Sequence, residues 1–527
     1  MASLLGLEFV VALGVTVLIC TLVSSRYRVA PPILLLLCGA LWWFIPSLRA
    51  VHLAPEAVLL LFLPALLYWE SFTTPLRGIR RDLVGIALTS TVLIIVTAGA
   101  VAATAHSLGL PWGPAWVLGA AVAPTDATAV AALARVLPNR EVTLLRAESL
   151  VNDGTALVVY AIAVGITVGN EHFSVPWISW LFVVAYVGGA VAGALVAWLA
   201  VLARRRLDNP LLINVAVILT PFTAFLLAET IGASGVIAAV LAGLIISQAS
   251  PRMGRPDARR QTENFWVLAT FLLNGSLFVL VGLESQSAVR NLTSLTIPRA
   301  LLLVAAVVAV LVVVRMVFLF GSSYVTRWVA NEDRPHGERS RVRGTVVMGV
   351  AGFRGAVSLA AALAIPELLA NGSSFPDRDA IIFVTAGVIA VTVIVQGLLL
   401  PSVVRWARFP HDTTTVEERR YAELKATEAA YAELPKLAER LSIDPEVAER
   451  LDGEYAQQLR TLQAEGDDQV LHQDEQYAEL RRALIARKRE VIIDLRDKRR
   501  IDDTVLRQIQ AGLDLEEVRL ALRMHRR

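Results

Sequence analysis

Long apolar runs recur along almost four-fifths of this chain, and they leave few folds open to it. A bilayer core takes about 20 apolar residues per helix. On that ruler about thirteen spans fit, near residues 4–24, 29–48, 53–70, 83–108, 113–134, 142–168, 177–203, 210–229, 234–249, 264–284, 299–328, 344–367 and 379–405. Only helices and closed barrels satisfy their backbone groups in hydrocarbon. Runs of this length predict helices, so the expected fold is all-α, a polytopic membrane protein. Composition agrees, since only 18% of residues are charged, against about 25% in a soluble domain. No basic residue precedes Arg26, so the first run reads as a retained span and not as a cleaved signal peptide. Cys20 and Cys38 are the only cysteines, each in an apolar run, too few for a disulfide framework or a metal site.

Every second loop carries arginines: Arg26 and Arg28; Arg77, Arg80 and Arg81; Arg135, Arg140 and Arg146; Arg204, Arg205 and Arg206; Arg252, Arg255, Arg259 and Arg260; then Arg327 through Arg343. The loops between hold only Arg49, Arg290, Arg299 and Arg378. Cytoplasmic loops are the basic ones, which predicts an outside N-terminus and a cytoplasmic C-terminus in the plasma membrane. Residues 1–409 are then the transmembrane domain. From residue 410 to 527 the composition becomes charged and helix-favouring, with Pro435 and Pro445 as expected interruptions. This tail reads as a helical cytoplasmic region, acidic over 462–480 and basic over 481–500. The basic run is either a solvated helix face or a contact for anionic lipid. It contains no nucleotide-binding loop, metal-ligand spacing or nucleophile motif, and nothing in the chain calls for a nucleic acid, a cofactor or an enzyme.

Charges inside the membrane are costly and face the bundle interior or a water-filled cavity. "RAESLVNDGTALVVY" (146–160) holds Glu148, Ser149, Asn152 and Asp153 on one broad helix face ahead of an apolar run. With a helix start near Glu141, Asp153 lies about three turns deep. A later start would leave both carboxylates among the headgroups, but the apolar residues at 143–145 argue against it. In the preceding span, "GAAVAPTDATAVAALA", Pro124 breaks the helix and Asp126 follows at the start of its second half, where a carboxylate offsets the helix dipole. Thr125 offers a hydroxyl and a carbonyl, hard oxygen ligands. A kink serving packing alone is the plainer alternative. "MGVAGFRGAVSLAAALAIP" surrounds Arg354 with Gly349, Gly352 and Gly355, a second broken helix seven spans after the first. That spacing fits an inverted repeat with two crossed broken helices, and Arg354 would neutralise the negative helix ends at the crossing. Arg315, in "LVVVRMVFLF", needs a buried partner, and Glu148 is the expected one. Glu70, near the cytoplasmic end of the third span, is either a cation entry ligand or an interfacial residue.

On "APTDATAV", Glu148 with "SLVNDGTA", "FLLNGSLFVLVGLE" and "GFRGAVSLA", the chain resembles the monovalent cation:proton antiporters of the NhaP type, kin to the eukaryotic sodium/proton exchangers, over residues 1–409. The resemblance implies an inverted-repeat fold with core and dimerisation helices, working as a homodimer. It makes Asp153 the carboxylate that binds sodium and proton in turn, with Ser149 and Thr125 adding oxygen ligands and Asp126 shaping the crossing. It pairs Glu148 with Arg315, and it places Asn152 where electrogenic relatives carry a second Asp.

The expected function is secondary active exchange of sodium for protons by alternating access. Burial favours a neutral carboxyl, the physical ground for competition between the two ions at one group. With Asn152 unable to titrate, exchange should be electroneutral, unless Asp126 also titrates. The alternatives are a potassium/proton antiporter or, from another class, a cation channel whose polar cluster is structural.

Overall fold

The computed structural model describes residues 2–27, 29–45, 58–126, 137, 139–169, 175–252, 256–330, 338–369, 373–409, 414–463, 468–498, 500 and 502–524. Two compact units divide the chain, Met1–Pro410 and His411–Arg527.

In the first unit the helices are α1 (Ala2–Tyr27), α2 (Pro31–Trp42), α3 (Leu63–Thr73), α4 (Leu76–Arg81), α5 (Leu83–Ala87), α6 (Leu93–Ser107), α7 (Trp112–Val122) and α8 (Asn139–Val168). There follow α9 (Val175–Val183), α10 (Gly189–Arg206), α11 (Pro210–Thr230), α12 (Gly235–Ala249), α13 (Pro256–Arg290) and α14 (Ile297–Ala330). The unit ends with α15 (Glu338–Val350), α16 (Ala356–Leu363), α17 (Arg378–Val391) and α18 (Gly397–Ala407). Among the described residues there is no strand, only an isolated bridge from Leu368 to Ser374, so the all-α expectation holds. Among the described residues eight helical stretches are long and apolar enough to cross a membrane, and four more apolar helices, within 31–42, 60–73, 112–122 and 235–249, are shorter. Each predicted run falls on one of these or on the pair α15 and α16. Residues 46–48, predicted as the end of the second span, 53–57, predicted as the start of the third, and 127–134, predicted as the second half of the fifth, lie outside the described residues.

Many large apolar side chains point outward, among them Val10, Leu22, Trp198, Leu226, Leu301 and Val317, as expected of surfaces that face lipid. Inward, small residues bring backbones together, the usual basis of helix association in a bilayer. A Cβ on Gly39 would strike the backbone of Val279, one on Gly282 the carbonyl of Leu36, and one on Gly119 the carbonyl of Ala98. These contacts seat α2 on α13 and α6 on α7.

Among the described residues four wide π turns interrupt the helices: Val58–Phe62, Leu88–Val92, Val184–Gly188 and Thr392–Gln396. Such turns cluster at functional sites. The carbonyl of Ser90, in the second of them, accepts a hydrogen bond from the Thr155 hydroxyl at 2.7 Å, and that hydroxyl also meets Tyr186 in the third.

The second unit is helical throughout its described residues: α19 (Thr414–Arg440), α20 (Pro445–Gln463), α21 (Asp468–Asp497) and α22 (Asp503–Met524). Pro445 opens α20, but Pro435 lies inside α19. The expected interruption at Pro435 does not occur. A proline removes one donor, and the surrounding Ala, Glu, Leu and Lys carry the helix on to Arg440. Ile485 and Ile492 of α21 pack with Leu506, Leu513 and Leu520 of α22, and Arg489 joins Asp514 and Glu517 at 2.6 and 2.8 Å.

Candidate functional site: a crossing of two broken helices

α7 stops at Val122, and residues 123–126 run on without helical structure. α15 stops at Val350 and α16 begins at Ala356, so residues 351–355 form a second break. The two breaks touch through their backbones. The Asp126 amide donates to the Phe353 carbonyl at 2.8 Å. Glycine is required at 355, because a Cβ there would collide with the Asp126 carboxylate.

Arg354 sits between the open ends. Its Nε donates to the Val122 carbonyl at 3.0 Å, and its Nη1 to the Gly352 carbonyl. Val122 is the last residue of α7, whose C-terminal end carries partial negative charge, and Gly352 lies two residues past the end of α15. The Arg354 amide donates to the Thr392 hydroxyl at 3.4 Å. Arg354 is 2% exposed, so these carbonyls serve where a counter-ion otherwise would.

α8 starts at Asn139, which puts Asp153 14 residues, about 21 Å, into the helix. Glu148, Ser149, Asn152 and Asp153 are all buried. The structure brings Arg315 of α14 to Glu148, with Nη1 to Oε1 at 2.5 Å and Nη2 to Oε2 at 3.3 Å. Both side chains are 3% exposed. Arg315 Nε also donates to the Met348 carbonyl at 3.1 Å, which ties the pair to α15. The Thr125 hydroxyl donates to Glu148 Oε1 at 3.2 Å and accepts from Asn152 Nδ2 at 2.8 Å; the same nitrogen reaches the Thr125 carbonyl at 3.3 Å.

The sequence candidates therefore separate into two sets. Glu148, Arg315, Thr125 and Asn152 form one hydrogen-bonded chain that fixes the first break against α8 and α14. Asp153 lies beside it, and the carboxylates of Asp126 and Glu70 are near enough to act on its charge. Glu70 is also within electrostatic reach of Asp126 and Arg146. Ser149 lies one turn before Asp153 on α8. Asn152 Oδ1 is a buried acceptor with no hydrogen-bond partner, and oxygens are what a hard cation takes. Among the described residues no group of three or more His, Cys, Asp or Glu side chains has the arrangement of a resident metal site. Sequence reasoning missed Thr392, Met348, Ser90 and Thr155. A hydroxyl in an apolar run and a backbone carbonyl carry no sign of their long-range partners.

The end of α7 meets the break at 351–355 beside a buried carboxylate and an ion pair, an arrangement suited to a secondary transporter of ions. Residues 14–406 match the family model described as sodium/hydrogen exchanger, transmembrane, and the chain belongs to that family. It is 43% identical to an uncharacterised Na+/H+ exchanger of Mycobacterium tuberculosis over 525 residues, 98% of this chain and 96% of that protein. It is 30% identical to the Na+/H+ antiporter ApNhaP of Aphanothece halophytica over 429 residues, 80% of this chain and 78% of that one. A relative in Bacillus pumilus, a sodium, potassium, lithium and rubidium/H+ antiporter, is 31% identical over 482 residues, 86% of this chain and 70% of that one. Among solved structures, the sodium proton antiporter MjNhaP1 of Methanocaldococcus jannaschii aligns with a TM-score of 0.58 at 19% identity. That alignment covers 76% of this chain and 99% of the other, and it shows the shared fold. The NhaP-like resemblance seen in the sequence is met.

Proposed function

We propose that this protein exchanges sodium for protons by competition of the two ions at Asp153, with access alternating between the two sides of the membrane. The observation that carries the reading is the division of labour between two carboxylates five residues apart. Glu148 is held by Arg315 and Thr125, whereas Asp153 stands with the acidic groups Asp126 and Glu70. Ser149 and the oxygens of Thr125 complete a hard-ligand set around Asp153. Asp126 and Glu70 draw a cation toward it, and Asn152 holds the break in place. Arg354 keeps the crossing closed.

Asn152 cannot titrate, so one carboxylate carries the stoichiometry. Sodium on an ionised Asp153 and a proton on the same group give sites of equal charge, and the exchange is electroneutral. Potassium is the second reading, favoured by the ions in the name of the Bacillus pumilus antiporter. About thirteen membrane crossings arranged as an inverted repeat, a homodimer, a plasma-membrane location with the N-terminus outside, and a cytoplasmic residue 410–527 region complete the proposal.

The test uses purified protein in sealed vesicles with an imposed pH gradient and cations added singly. Sodium should dissipate the gradient with the wild type and not with Asp153→Asn, which keeps its fold. Exchange of normal size in that variant would overturn the assignment.

A further inference from the structure

The two cysteines, 18 positions apart on different helices, meet. Cys20 Sγ of α1 lies 3.4 Å from Cys38 Sγ of α2, with one thiol donating to the other. Their helices are held in register by the turn between them, where the Ser24 hydroxyl donates to the Val29 carbonyl at 2.7 Å, and by packing of α1 on α2. Cys20 is buried and Cys38 is half-buried. Cys20 packs into the buried core cluster, while Cys38 is flanked on α2 by the exposed apolar side chains of Leu37 and Leu41, so the pair is approached from an apolar surface through Cys38.

A disulfide needs the sulfurs at about 2.05 Å. From 3.4 Å the closure is about 1.4 Å, within the reach of small rotations about two Cα–Cβ bonds. The chemistry suits an apolar setting. A dithiol and a disulfide are both neutral, so oxidation places no charge in hydrocarbon. A soft monovalent metal held by two thiolates would leave one net negative charge there, which is costly without a partner. The reactant must dissolve in lipid, take two electrons and accept two protons, and a quinone does all three.

We propose that Cys20 and Cys38 are an intramembrane dithiol that a membrane-soluble quinone oxidises to a disulfide. Two S–H bonds break and one S–S bond forms, and the two electrons and two protons pass to the quinone, which leaves as the hydroquinone. The link ties α1 to α2. Among the described residues α1 is the least buried of the long apolar helices, so it has the most to gain from a covalent hold.

The sequence makes the test direct. Arg26 and Arg28 lie between the two cysteines, and Arg49 follows them. Full-length protein in lipid nanodiscs is treated with decylubiquinone, then with a maleimide, then denatured and cut with trypsin without reductant. The expected product joins peptide 1–26 to peptide 29–49, unlabelled by maleimide and separated by dithiothreitol. Cys20→Ala should give peptide 29–49 carrying the maleimide label after the same treatment. Maleimide on both cysteines of the quinone-treated wild type would overturn the proposal. So would a link between two copies of peptide 29–49, since it would show that Cys38 reacts with a neighbouring molecule instead.

Discussion

Breaking the Glu148–Arg315 pair is a perturbation whose size the structure sets. Arg315 makes three hydrogen bonds, two to the carboxylate and one to Met348. Glu148→Ala leaves the guanidinium with that one carbonyl, 2% exposed and permanently charged. Removing one partner of a buried pair costs about 3–5 kcal/mol, and this variant belongs at the upper end. Arg315→Ala leaves a carboxylate that keeps the Thr125 hydroxyl, so it belongs at the lower end. Glu148→Ala with Arg315→Ala removes both charges, so the penalty that each single change incurs for an unpaired buried charge is absent. The double variant should therefore recover at least about 2 kcal/mol relative to the sum of its single changes, within the range seen for contacting residues. Unfolding of purified protein in detergent by increasing denaturant, followed by tryptophan fluorescence, measures all four corners of the cycle. If the single effects add with no recovery, the two residues do not act as a pair, and the separation of Glu148 from Asp153 loses its basis.

Gly355→Ala should abolish exchange while the protein still assembles, since a methyl there collides with the Asp126 carboxylate; gradient dissipation and size-exclusion profiles read the two properties separately. An electrogenic exchange would shift by about 2.3 kcal/mol per charge for each 100 mV applied, and the wild type should shift by nothing, measured in vesicles clamped with potassium and valinomycin once potassium has been tested as a substrate. Asn152→Asp adds a second carboxylate, removes the amide donor to Thr125, and should either introduce voltage dependence or stop transport. In the second unit, Arg489→Ala should cost under about 1 kcal/mol in thermal unfolding of the full chain, because its partners Asp514 and Glu517 are largely exposed.

Much of this arrangement was legible in the amino-acid order because the bilayer simplifies the rules. A charge in an apolar run demands a partner, and Arg315 and Glu148 had few others to choose from. Pro124 and the glycines around Arg354 mark the breaks by backbone chemistry alone. What escaped prediction depends on contacts over long separations. The π turns arise from tertiary packing and leave no mark in composition. Arg354 found carbonyl acceptors, which every residue possesses, so no pattern could single out Val122 and Gly352. The approach of Cys20 to Cys38 follows from the turn between α1 and α2, which apolar periodicity does not specify. Pro435 misled in the other direction, since a proline permits a helix to continue when its neighbours favour one.

The bonds that build the crossing have a consequence for biosynthesis. Glu148 meets Arg315 across 167 positions, and Arg354 meets the Val122 carbonyl across 232. Closing loops of that length comes late, after the segments that must meet have both been made. A nascent chain that has not yet reached Arg315 holds Glu148 in the membrane without its guanidinium, and one that ends before Phe353 has no carbonyl for the Asp126 amide. Helices laid down early therefore wait, with their polar faces incomplete, for α14 and the break after α15 to be made. The contacts that build the crossing close only after residue 354 of 527 has been made.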